Sequence, residues 1–265
     1  MRVLYWVSDI IYIFILYIFP YRKSVVVQNL SRSFPEKRYP EIESIMKKFY
    51  RSFCDNLLEA LKTVSISPSK QAAKVTLIHP EVITQHVDSG RNVIIGMGHC
   101  GNWEVLTIMS HIFNKYDCYS TYKPLRRKVI DRLFLRTRSR FGMGLVPSKS
   151  IIRHFIANKK PSIYFFIADQ CPRNIEEKYS FELLHQKTYM FSGIEKLSIA
   201  TDSVVTYIQV TKEGRNKYRV ECKEITSQPK LTAEREITQK YTHLLEQNIK
   251  AQPYSWLWSH RRWKR

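Results

Sequence analysis

Acidic residues are scarce in this chain of 265: 23 Asp and Glu stand against 43 Lys and Arg, a net charge of +20. That imbalance favours an anionic partner, whether nucleic acid, an anionic bilayer, an acidic protein or a phosphorylated substrate. A merely solvated basic surface is the plainer alternative. Cysteine pairs are missing too. The five cysteines, at 54, 100, 118, 171 and 222, form no CxxC and are odd in number. This argues against a zinc site and a disulfide framework, and suits reduced thiols in the cytosol, with Cys100 a packing residue. No low-complexity tract or internal repeat is present, which excludes disorder and solenoid architectures. With 44% hydrophobic and 25% charged residues, the composition is that of a folded protein.

A clean membrane-spanning run is also lacking. Val3 to Phe19 is almost wholly apolar and aromatic-rich, but Ser8 and Asp9 interrupt it. As a helix it would reach about 25 Å at ~1.5 Å per residue, short of a ~30 Å hydrocarbon core. Asp9 at the bilayer centre would cost roughly 2.5–3.5 kcal/mol. A shallow or interfacial anchor over residues 1–23 is therefore expected, with Arg22 and Lys23 at cytoplasmic headgroups. No small-x-small cleavage site follows it, which speaks against a secretory signal. A buried core helix is the competing reading.

What is present reads as an α/β protein. Ile45, Phe49, Phe53, Leu57 and Leu61 recur every four residues and predict an amphipathic helix over 41–62. Short apolar runs at 93–97, 163–168 and 204–210 read as buried strands, and 218–222 as a half-buried one. Residues 125–140 read as a helix between them. Strands alternating with helices predict a central sheet flanked by helices, one domain over 24–265 with a helical front section.

Gly98-His99-Cys100-Gly101-Asn102-Trp103-Glu104 stands just past the first of these strands, where open α/β sheets place ligands. A neutral imidazole suits general-base catalysis on a hydroxyl. A carboxylate on its other ring nitrogen would fix the tautomer, and Glu104 is the nearest candidate. Asn102 is placed to cap the next helix or to bind substrate. Without chemistry, His99 would be an ordinary loop residue and Glu104 a helix-start carboxylate. From 123 to 140 eight basic residues stand against Asp131 alone, a stripe fit for phosphates or an acidic protein. The Trp-rich basic tail from 256 suits a headgroup interface or single-stranded nucleic acid.

His99 to Glu104 resembles the H-x4-D/E block of glycerolipid acyltransferases, in the H-x-x-N-W-E form of the late acyltransferases of lipid A biosynthesis. Tyr122-Lys123-Pro124, Arg138-Ser139-Arg140, Ala168-Asp169-Gln170 and the ending from Pro253 to Lys264 are similar to further blocks of that family, in its order. Early residues Tyr21-Arg22-Lys23, Asn29-Leu30 and Ser33-Phe34-Pro35 resemble it as well. The resemblance implies a glycerolipid-acyltransferase-like mixed sheet and acyl transfer to a hydroxyl of a lipid A precursor at the cytoplasmic face of the inner membrane. His99 would be the base and Glu104 its orienting partner; Asn102, Lys123, Arg138, Arg140 and Asp169 would contact substrate. It implies neither metal nor cofactor, and a thioester donor on acyl carrier protein or coenzyme A. Expected partners are acyl carrier protein, anionic membrane lipids and the lipid acceptor, with no nucleic acid. Where the family has Pro-Phe-Phe-Gly, this chain reads Leu183-Leu184-His185-Gln186-Lys187-Thr188, so an aminolipid or glycolipid acceptor stays open. A hydrolase and a non-enzymatic basic membrane-binding protein are the other classes.

Overall fold

The structure, a computed structural model, describes residues 2–124 and 127–263. Arg126 of the basic stripe and Lys264 and Arg265 of the tail lie outside the described residues, as do the side chains of Val105, Val129, Ile130 and Leu133.

The front section is helical. Helix α1 (Arg2–Ile13) runs into a π turn at Phe14–Ile18, followed by α2 (Lys23–Ser33), the long α3 (Tyr39–Lys62) and the short α4 (Pro68–Ala72). Pro40 in the first turn of α3 lacks an N–H that would have no helical partner there, and Glu41 reaches back to accept the Arg38 N–H at 3.0 Å. The helix expected over 41–62 is thus present, but its apolar stripe is not the buried face throughout. A strict four-residue repeat drifts by roughly 40° per step around a helix of 3.6 residues per turn. Ile42, Met46, Phe49, Tyr50 and Cys54 are buried, whereas Leu57 and Leu61 have rotated out to solvent. Polar Asp55 and Glu59 take the inward positions.

Helix α1 is built the same way round. Its outward face is apolar (Val3, Trp6, Val7, Ile10, Ile13), while Ser8 is buried and donates to Asp55 Oδ1 at 2.7 Å. Asp9 faces the protein, accepting from Arg51 and Arg215. Its carboxylate is thereby paired rather than stranded in hydrocarbon. Among the described residues no single helix is long and apolar enough to cross a membrane; Arg2–Ile18 and Lys23–Ser33 pass such a test only as a pair bent by 88°.

From β1 (Val75–Ile78) onward, strand and helix alternate: α5 (Glu81–Asp88), β2 (Val93–Met97), α6 (Met109–Ile112), β3 (Asp117–Tyr122), α7 (Lys128–Ser139), β4 (Gly144–Pro147), α8 (Ile151–Ala157) and β5 (Ser162–Ile167). A hairpin of β6 (Ser180–Leu183) and β7 (Gln186–Tyr189) precedes α9 (Gly193–Thr201), β8 (Val204–Gly214), β9 (Lys217–Thr226) and α10 (Glu236–Ala251). The main sheet has the order β1-β9-β8-β2-β5-β3-β4, parallel throughout except at β8–β9, so it is mixed as expected. Its central strands are covered on both faces, which is why they read as unbroken apolar runs. On one face Ile94, Tyr164 and Tyr207 pack with α9, α10 and α3. On the other, Ile95, Phe165 and Ile208 pack with α5 and the segment around Met109.

Candidate active site

Strands β2 and β5 are parallel neighbours in register, Met97 opposite Ile167. The chain leaves both at the same edge, and two residues further on each presents a titratable side chain. His99 Nδ1 and Asp169 Oδ1 lie 2.6 Å apart, and the His99 backbone N–H donates to Asp169 Oδ2 at 2.9 Å. A carboxylate only accepts, so in a neutral ring the proton sits on Nδ1 and the Nε2 lone pair is left as base. Gln170 Nε2 stands 3.4 Å from that atom, and Trp103 packs edge-on against the ring at 4.9 Å between centroids. His99 keeps 15% of its side-chain surface open; Asp169 keeps 2%.

Asp169 has a third donor, the Trp256 indole N–H at 2.7 Å. Burial alone would raise the Asp169 pKa, but the His99 charge and these donors outweigh it and hold the carboxyl down at about 2. The loop needs its glycines: a Cβ on Gly98 would stand 2.5 Å from Leu245 Cδ1. Gly101, at φ +60°, would set one 2.8 Å from Val210 Cγ1.

The carboxylate on His99 Nδ1 belongs to Asp169, not to Glu104. The latter begins the 3-10 turn Val105–Ile108 and accepts two bonds from the Arg138 guanidinium, Nε at 3.0 Å and Nη2 closer still. Burial penalises the Arg138 charge, yet the bidentate carboxylate prevails and raises its pKa. The pair lines a small cavity of about 50 Å³ with Met97, Trp103, Met143 and Phe165. A larger cavity of about 750 Å³ lies between the β6–β7 hairpin and α10 and is lined by neither His99 nor Asp169. Size does not mark the site here; the paired imidazole does.

A strand-end imidazole oriented by a buried carboxylate is apparatus for activating a hydroxyl or water. The sequence description of the bacterial lipid A biosynthesis acyltransferases matches residues 3–265. The chain belongs to that family. No curated protein matches it. It is thus an acyltransferase of lipid A biosynthesis with a lipid acceptor.

The acyltransferase distributes the remaining expected site residues unevenly. Asn102 is buried at 1% exposure rather than open to solvent; its amide donates to Glu59 Oε2 at 3.1 Å and to the Asn56 carbonyl at 3.3 Å. Lys123 is exposed just past β3. Arg140 is turned away to donate to the Thr63 carbonyl at the end of α3. Cys100 is buried, its thiol pushed well up by desolvation, in keeping with packing. The tail is not an interfacial belt: Trp256, Trp258 and Arg262 are buried, and the Trp263 indole donates to Thr188 Oγ1 at 2.7 Å. Trp256 and Gln170, present in the quoted blocks but given no role from the sequence, are neighbours of the His99–Asp169 pair.

Proposed function

We propose that this acyltransferase moves a fatty acyl chain from an acyl carrier protein thioester to a hydroxyl of a lipid A precursor. His99 serves as general base, and Asp169 rather than Glu104 orients it. The acceptor oxygen attacks the thioester carbonyl carbon as His99 Nε2 takes the hydroxyl proton. The tetrahedral intermediate collapses with cleavage of the C–S bond, and the imidazolium returns that proton to the sulfur, leaving an ester and a free thiol. Asp169 steadies the imidazolium between the two proton transfers. No cofactor is required. The 2.6 Å contact between His99 Nδ1 and Asp169 Oδ1 carries this reading.

Glu104 then acts through Arg138. It fixes the guanidinium with two bonds and leaves the other N–H groups for an anionic portion of donor or acceptor. Exposed Arg127, Lys128, Arg132 and Arg136 on and beside α7 suit an acidic carrier protein and lipid phosphates. The apolar outer face of α1 lies in the cytoplasmic leaflet of the inner membrane, with the aromatic rings at the headgroups.

Steady-state assays on the purified protein test the assignment. His99→Ala abolishes transfer, and Asp169→Asn lowers kcat by about 10³–10⁴-fold through the wrong tautomer, with KM little changed. Glu104→Gln raises KM for the anionic substrate more than it lowers kcat. An Asp169→Asn enzyme with parental kcat, beside an inactive Glu104→Gln, returns the orienting role to Glu104. Running dodecanoyl thioesters of acyl carrier protein and of coenzyme A in parallel identifies the donor.

A further inference from the structure

Glu59 is the most deeply enclosed carboxylate outside the dyad, with no exposed surface. Three donors from three parts of the chain converge on it. The Tyr5 hydroxyl of α1 reaches Oε1 at 2.8 Å, while the Asn102 amide and the Tyr218 hydroxyl of β9 meet Oε2. One turn earlier on α3, Asn56 Nδ2 donates to the Gly101 carbonyl at 2.8 Å, and the Asn56 carbonyl accepts from Asn102. Helix α3 thereby grips two consecutive residues of the loop that carries His99. Well-packed apolar side chains would generally stabilise a core at least as well as a buried polar cluster of this kind. What the cluster adds is a fixed geometry that apolar contacts do not enforce.

The same carboxylate faces the inside-out helix. Among the described residues, three side chains of α1 hydrogen-bond to the body: Tyr5 to Glu59, Ser8 to Asp55, and Asp9 to Arg51 and Arg215. Only Tyr5 shares an acceptor residue with the catalytic loop. Removing its hydroxyl leaves the other two ties in place.

We infer that Glu59 is a positioning residue for acyl transfer: through Asn102 it fixes the loop that aims His99, and through Tyr5 it makes that aim depend on how α1 is seated. This rests on the assignment of His99 as base. The loop and the outward apolar face of α1 then share one hydrogen-bonded hub, so whatever tilts α1 alters the reach of the imidazole. Misplacement of a reacting group by about 1 Å can cost on the order of 100-fold in rate.

Kinetics on the full chain in detergent, with dodecanoyl-acyl carrier protein and a lipid A precursor, test the hub. Glu59→Gln is expected to lower kcat by about 100-fold and Tyr5→Phe by about 5–10-fold, with KM for both substrates within about twofold of the parent. Tyr5→Phe added to Glu59→Gln brings no further loss, because the path is already cut. Thermal midpoints are measured alongside. If both variants keep the parental kcat per folded molecule and lose only melting temperature, Glu59 is structural and the inference is overturned. Additive losses overturn the link to α1. Should Glu59→Gln fail to fold, Tyr5→Phe decides alone by the same kcat criterion. His99→Ala is the separating control: if it keeps full activity, the base assignment itself fails, whatever Glu59 does.

Discussion

At the scale of single residues the site turns on which carboxylate meets the imidazole. Glu104, five positions from His99, was the candidate visible in the local sequence, yet Asp169, seventy positions away, makes the contact. Both strand ends were legible as short apolar runs closing on His99 and Asp169. That β2 and β5 are neighbours in register was not, because strand order is settled by long-range packing that leaves no local signature. Trp256 was hidden for a related reason: composition describes a ring and its charged neighbours, not the acceptor the ring will find. The depressed Asp169 pKa has a consequence in solution. A carboxyl held at about 2 when folded, against an ordinary value near 3.9, adds stability that is fully present above roughly pH 4 and is lost as pH falls through 2. That titrating part is worth on the order of 2 kcal/mol. The melting-temperature gap between the protein and Asp169→Asn should hold steady from neutrality to about pH 4, then narrow. A gap that widens on acidification contradicts the ionised, paired carboxylate.

Elements follow the apolar pattern where its period matches the geometry and depart from it where it does not. The central strands came through because both of their faces are covered. In α3 the four-residue repeat correctly announced a helix but misled on its inner face, as drift carried Leu57 and Leu61 outward and brought Asp55 and Glu59 in. The hairpin between β6 and β7 stands where the chain departs from its family's Pro-Phe-Phe-Gly. Its tip places Leu184 at φ 53° and His185 at φ 60°, two successive left-handed residues with no glycine. The type I′ geometry favours glycine at the second of these positions. Leu184 is buried and anchors the turn, whereas His185 is exposed. His185→Gly should therefore stabilise the protein by about 1 kcal/mol and raise Tm by roughly 2–4 °C. An unchanged or lower Tm in calorimetry argues that the exposed ring makes a contact worth more than the strain.

Over the whole molecule the two unusual surfaces are the +20 charge and the apolar flank of α1, where Trp6 is 68% exposed. If both meet a bilayer, binding to vesicles has separable components. Trp6→Glu with Ile10→Glu should weaken co-sedimentation with anionic vesicles at least tenfold with little change in Tm, since Trp6 is 68% and Ile10 47% exposed. Raising salt from 0.1 to 1 M shortens the screening length from about 10 to about 3 Å and should weaken the parent's binding as well. Vesicle binding that ignores both changes would leave this flank without its lipid role. Trp256 also bears on the order in which the protein comes into being. Its indole completes the hydrogen-bond set of a carboxylate 87 residues earlier. At ~5–20 residues per second, roughly ten to fifty seconds of translation separate the appearance of α1 from that of residue 256. If α1 seats on a bilayer as proposed, the nascent chain can reach that surface well before its dyad is complete.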